Sequence, residues 1–229
     1  MKKPSLRRHE SGNTMLEFAL AMSVLVPMFA GMFSIGMSLS KSIQVSNVCQ
    51  DGVILMVSAN TEPNAGLDLS QLQNQRIIVR AAQGLGMNSD AADDPSPTGN
   101  AVVILSKVTM VGPSECSTGV VPAPHNAPPW NSGNCPNYGQ YVFSYRVVIG
   151  NGTRWTSTFG NPPAGVVQSN GTISAATMAT NTSDVALNAA FLNLSPSTFA
   201  LVSEMYADIS SLNLFSIMKT PIIYSRSVS

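Results

Sequence analysis

The sequence predicts an α+β protein in which one long N-terminal helix runs from a membrane-length apolar stretch into a domain built around a small antiparallel sheet. Three observations carry this expectation. Phe18 to Ser40 is a run of 23 residues without a charge, and as a helix it extends roughly 35 Å against about 30 Å of bilayer hydrocarbon. Apolar residues then recur with partly helical spacing, at Ile43, Val45, Val48, Cys49, Val53, Ile54 and Val57, so the helix continues to about Ala59. Further on, 101–111 and 140–149 change to β-branched and aromatic runs separated by turn-rich segments.

Charge placement orients the first element. Lys2, Lys3, Arg7 and Arg8 precede the apolar run against the single acid Glu10, and Lys41 is the only basic residue close behind it. Positive charge stays on the cytoplasmic side, which predicts a cytoplasmic N-terminus and export of everything after about residue 40. Pro27 removes one helical hydrogen bond and predicts a kink. Gly31 and Gly36 leave shallow spots for a neighbouring helix, although their spacing is not GxxxG. Glu17 is the anomaly, because a carboxylate costs about 3 kcal/mol at full membrane depth and intramembrane acids mark function. The bland alternative places Glu17 among headgroups, favoured by a few tenths of a kcal/mol at a helix N-terminus.

Spacing distinguishes these readings. Gly12-Asn13-Thr14-Met15-Leu16-Glu17-Phe18-Ala19-Leu20 resembles the processing region of type IV pilin-like proteins, in which a prepilin peptidase cuts after the glycine and a glutamate is residue five of the mature chain. The continuation through Leu25-Val26-Pro27 to Gly31 and Gly36 is similar, more narrowly, to TadE-like minor pseudopilins of tight-adherence (Flp-type) pilus systems. The likeness covers about residues 7–40 and is faint elsewhere; Phe18 stands where the major Flp pilins carry tyrosine. It implies a leader at 1–12, cleavage between Gly12 and Asn13, and an assembly role for Glu17-Phe18, the carboxylate pairing with the new Asn13 amine of a neighbouring subunit. It also implies as partners a prepilin peptidase, the major pilin and a companion minor pseudopilin, in the bacterial inner membrane or a pilus.

Four segments follow: leader 1–12, membrane helix 13–40, exported continuation 41–60 and an extracytoplasmic α+β domain 61–229. Asp68 is positioned to cap a second helix over Leu69 to Leu85, ended by Gly84 and Gly86. In the second strand Tyr141, Phe143, Tyr145 and Val147 alternate with Val142, Ser144, Arg146 and Val148. The Gly-, Ser-, Thr- and Asn-rich stretch 151–184 reads as a long loop with short extended pieces. Phe199, Val202, Met205, Tyr206, Ile209 and Leu212 fit a helix face, yet 201–206, with 220–227 after it, resembles the paired C-terminal strands of TadE-like proteins; we read strand. About four antiparallel strands against the emerging helix have a pilin-like outline, with Arg226 where that family often keeps a basic residue.

Composition points to an exported chain in preference to a cytoplasmic enzyme. Charged residues are only 10% of the whole, against the usual quarter. Formal net charge is zero. With the leader set aside the chain is slightly acidic, without a basic patch or motif for nucleic acid. Cys116 and Cys135 bracket a loop rich in Pro, Gly and Asn, where a disulfide contributes roughly 3 kcal/mol. Cys49 reads as a small buried residue, with lipid attachment or an intermolecular bridge as alternatives.

Catalytic and cofactor readings find little. His9 and His125 are the two histidines, and no Ser-His-Asp set or phosphate-binding glycine loop is visible. Asp90, Asp93 and Asp94 lack EF-hand spacing. Trp130, Tyr138, Tyr141, Tyr145 and Trp155 read as core in preference to a carbohydrate surface. Two rival classes remain: a secreted binding domain whose signal peptide is cut near Ser38-Leu39-Ser40, and a membrane-anchored enzyme. The apolar run exceeds an ordinary signal core, which argues against the first.

Overall fold

The computed structural model describes residues 10–61, 69, 71–87, 99–118, 128–209 and 222–229. Helix α1 (Glu10–Thr61) comes first, then α2 (Leu72–Ala81) with a 3₁₀ turn at Gln83–Leu85. Strand β1 (Ala101–Met110), helix α3 (Pro113–Thr118), strand β2 (Tyr141–Gly150), helix α4 (Ala175–Thr180) and strands β3 (Phe199–Asp208) and β4 (Ile222–Val228) follow. The strands form one antiparallel sheet in the order β2-β1-β3-β4. The α+β expectation holds at this level.

Helix α1 is 52 residues long, about 78 Å at 1.5 Å per residue, and only its second half is docked. Val45, Val48, Cys49, Gly52, Val53 and Met56 are buried, a 3–4 spacing that turns one stripe of the helix onto the sheet. Against them lie Val103 and Leu105 of β1, Val147 and Ile149 of β2, and Leu201 and Met205 of β3. The approach to β3 and β4 is close because its residues are small. A Cβ at Gly52 would fall 2.6 Å from the Ser203 hydroxyl oxygen and 3.0 Å from Leu105. The Cys49 thiol donates to the Ser203 carbonyl at 2.9 Å. Gly52→Val is expected to cost about 1–3 kcal/mol through overpacking of this contact, read as a lowered thermal midpoint of the full chain in detergent.

The second helix is shorter than its periodicity suggests, beginning at Leu72 instead of Leu69 and ending at Ala81. Leu69 is buried in the preceding turn, and Asp68 lies outside the described residues. Ile78, Val79, Ala82 and Leu85 join the α1 core, whereas Ile77 is half exposed. Its end is tied to α1, where Gln44 Nε2 donates to the Ala81 carbonyl at 3.2 Å and Lys41 Nζ to the Gly84 carbonyl.

Strand β2 departs from simple alternation. Lys107 pairs with Tyr145 but Val108 with Phe143, so Ser144 is an extra residue in a bulge. Tyr141 and Phe143 therefore pack with Val108 and Val202 on the face away from α1, while Tyr145 and Val147 pack on the α1 face. The Ser144 hydroxyl is held by Thr109 Oγ1 at 2.8 Å and the Lys107 carbonyl at 3.2 Å.

The second face of the sheet is covered by the 151–198 segment. Most of 151–184 is irregular, as expected, but it also contains α4, whose N-cap Ser174 accepts from Thr177 N. Phe159, Ile173, Ala186 and Ala189 bury against Val108, Phe143 and Val202. Cys116 and Cys135 are joined, with Cα atoms 5.8 Å apart, beneath Val111, Val142 and Ala179. The strand reading of 199–212 holds over Phe199–Asp208; 210–212 lie outside the described residues. Ile222–Val228 pairs with it as the last strand.

Candidate membrane and assembly interface

From Thr14 to Phe29 every residue of α1 is exposed. Met15 is 79% exposed and Phe18, Phe29 and Phe33 all exceed 60%. A contiguous apolar surface of this extent on one helix marks a membrane or protein interface. Thr14–Ala59 contains the one described helix long and apolar enough to cross a membrane. The exposed apolar residues of α1 thin out after Leu39 and Ile43, with Ile54 and Val57 beyond them, and the Lys41 and Gln44 contacts to the α2 end come directly after the uncharged run. The folded domain therefore begins within a turn of the apolar stretch, with no linker between.

The residues singled out by spacing all lie on this element. Gly12 and Asn13 fall in the first turn of α1, and Glu17 is exposed one turn later, followed by exposed Phe18. The helix runs on through Pro27, which has no N–H to offer the Ser23 carbonyl. The Ser23 hydroxyl donates to the Leu20 carbonyl at 2.7 Å, so its polar atom is satisfied within the helix. Residues 1–9 lie outside the described residues, as do His125, Asp90, Asp93 and Asp94.

Away from α1, the aromatics do not gather into one surface. Trp130 and Tyr138 pack on the disulfide cluster, Tyr141 on the Phe143 cluster and Tyr145 on the α1 face. Trp155 stacks on Tyr206 with ring centroids 6.4 Å apart. Cys49 is fully buried and its thiol is pushed up by burial, a setting suited to packing. An open groove of about 540 Å³ beyond the α1 end is lined by Met56, Ala59, Leu69, Lys107, Tyr145 and Leu201. Among the described residues no three His, Cys, Asp or Glu side chains come together as a metal cluster.

One constellation was not anticipated. Glu204 of β3 is fully buried, and Arg146 of β2 is 5% exposed. Their partners across β1 are Ile104 and Ser106, so the two charges share the face away from α1. Glu204 accepts from the Thr158 amide at 3.0 Å, from the Ser157 and Thr158 hydroxyls, and from the Tyr224 hydroxyl at 3.1 Å. Arg146 donates to Ser106 Oγ at 2.6 Å, to the Gly160 carbonyl at 3.0 Å and to Asn161 Oδ1 at 2.8 Å. Burial pulls the Arg146 guanidinium down to about 10, opposed by the Glu204 charge, so it stays protonated at neutral pH. Burial and Glu204 push the Tyr206 hydroxyl up. The network ties the 157–161 loop to side chains from all four strands. Its signal in the sequence was a lone acid and a lone base inside two apolar strands, each needing buried partners.

Comparison with family models, with curated proteins and with solved structures finds no match.

Proposed function

We propose that this chain is a non-enzymatic, single-span minor pseudopilin. It is made as a precursor with a cytoplasmic N-terminus, cut after Gly12 by a prepilin peptidase, and recruited through α1 into an Flp-type pilus or its membrane base. The major pilin and a companion minor pseudopilin are its assembly partners, and the exported sheet domain serves as a contact surface in pilus assembly or adhesion. The observation that carries this reading is the division of α1: one continuous helix whose second half is docked while its first half is bare, apolar and headed by Glu17, five residues after Gly12.

The chemistry assigned to Glu17 follows from that exposure. Cleavage leaves a cationic amine on Asn13, and a neighbouring Glu17 pairs with it in low dielectric, where stranding one partner costs about 3–5 kcal/mol. The pair sets the axial register between subunits. Glu17→Ala is expected to leave membrane insertion and cleavage intact and to abolish recovery of the protein with pilus subunits after crosslinking in native membranes. Unchanged association and assembly would remove the pairing role.

A further inference from the structure

The docked half of α1 fixes which end of the sheet lies closest to the apolar run. Leu201 lines the same groove as Met56 and Ala59, whereas Ser203 lies against Cys49 and Gly52, so β3 runs opposite to α1 and its end at Asp208 lies toward Lys41. A chain of hydrogen bonds joins the two. Lys41 Nζ donates to the Gly84 carbonyl and Gln44 Nε2 to the Ala81 carbonyl. The Asn100 amide donates to the Gly86 carbonyl and the Asp208 amide to the Asn100 carbonyl, both at 2.8 Å. Arg154 Nη1 donates to Asn100 Oδ1 at 3.0 Å, and its Nη2 pairs with Asp208. The end of α2 and this corner of the sheet therefore form one base, gathered at the first residue after the uncharged run. The disulfide cluster, packed around Val111 and Val142, sits at the opposite end of the sheet.

The base carries cations. Lys41 is held there by Gly84, Arg80 is exposed in the last turn of α2, and the Arg154 side chain is 44% exposed beside Asp208. Lys41 follows Ser40 directly, so a helix that crosses the bilayer with residues 18–40 brings Lys41 to headgroup level. Arg80 is level with Gln44, about 5 Å further out along the helix. We propose, on the single-span reading above, that this base is a lipid-contact surface on which Lys41, Arg80 and Arg154 hold the phosphates of phospholipid headgroups in the leaflet where α1 emerges. Long basic side chains reach such phosphates with the charged tip while the stem covers apolar surface. Arg154 also lies over the Trp155 ring at 4.9 Å, and an indole at this level is the residue type enriched at membrane–water interfaces. The domain thus stands with this corner on the membrane and the disulfide loop outermost.

The surface is tested on the full chain in nanodiscs of mixed phosphatidylcholine and phosphatidylglycerol, with dodecyl maltoside, whose headgroup has no phosphate, as the reference. Arginines are modified with phenylglyoxal and the rate at each is read by mass spectrometry. Arg226, exposed on β4 where it pairs with Glu204 midway along the sheet, is the internal control. The proposal expects Arg80 and Arg154 to react about fivefold more slowly in the discs than in maltoside, the factor for one cation held at a lipid surface, and Arg226 to react equally in both. Unchanged rates at Arg80 and Arg154 in a chain that stays in the discs would overturn the surface and leave the single-span reading standing. That is the result expected if Asp90, Asp93 and Asp94 of the intervening 88–98 segment repel the headgroups. Equal slowing of all three arginines would overturn the choice of this end of the sheet. A chain that does not enter the discs would overturn the single-span reading and the surface with it.

Discussion

Replacing Glu204 with alanine is expected to cost the sheet domain about 3–5 kcal/mol, a large part of the stability of an ordinary domain. The effect is large because the carboxylate has many dependants. Its removal leaves the Thr158 amide and three hydroxyls without their acceptor, and Arg146 without the opposite charge that offsets its burial. Glu204→Gln keeps the shape and one acceptor oxygen, so it is expected to lose less. The measurement is denaturant unfolding of the full chain in detergent, followed by Trp155 fluorescence, since Trp155 stacks on Tyr206 beside the network. A Glu204→Ala loss below about 1 kcal/mol would contradict a stabilising role for this network.

Gly12→Val is expected to block maturation completely while leaving insertion intact. Gly12 lies in the first turn of α1, where backbone amides lack helical partners and unwinding is least costly. Glycine eases that unwinding, and a β-branched side chain both stiffens the bond to Asn13 and fills the space a protease needs to reach it. Insertion depends on the apolar run after residue 18, which the substitution does not touch. The readout is intact mass from native membranes: the variant keeps residues 1–12, whereas the parent loses them. A variant matured at the parental rate would contradict the assigned cleavage position.

Periodicity was readable where one face of an element meets water and unreadable where both faces are buried. The docked stripe of α1 stands out from Val45 to Met56 because its opposite face is polar or exposed. Strand β3 is ambiguous because Ala200 to Ala207 are buried without a break. That burial erases the two-residue alternation and leaves Phe199, Val202, Met205 and Ile209 to imitate a helix. The bulge at Ser144 was hidden for another reason. A serine among alternating aromatics carries no local signal that the chain gains a residue there, and the slip is set by pairing with Lys107 and Val108. The cover provided by 151–198 is likewise a tertiary fact, decided by where Phe159 and Ile173 land.

The interface was legible to a different degree. An uncharged run of membrane length and the acid at its head are properties of the chain itself, and the exposure of α1 from Thr14 to Phe29 agrees with them. Cleavage is a matter of pattern alone: nothing in the fold of the first turn of α1 distinguishes the Gly12–Asn13 bond from its neighbours. The charges Arg146 and Glu204 carry no joint signal in the sequence, because they are 58 residues apart and come to one face only through the pairing of β2 and β3 with β1.

The most direct test is N-terminal sequencing with intact mass on protein from native membranes, with and without the prepilin peptidase. The account predicts a chain that begins at Asn13 only when the peptidase is present. A chain beginning near Lys41, or one still beginning at Met1 in the presence of the peptidase, would contradict it.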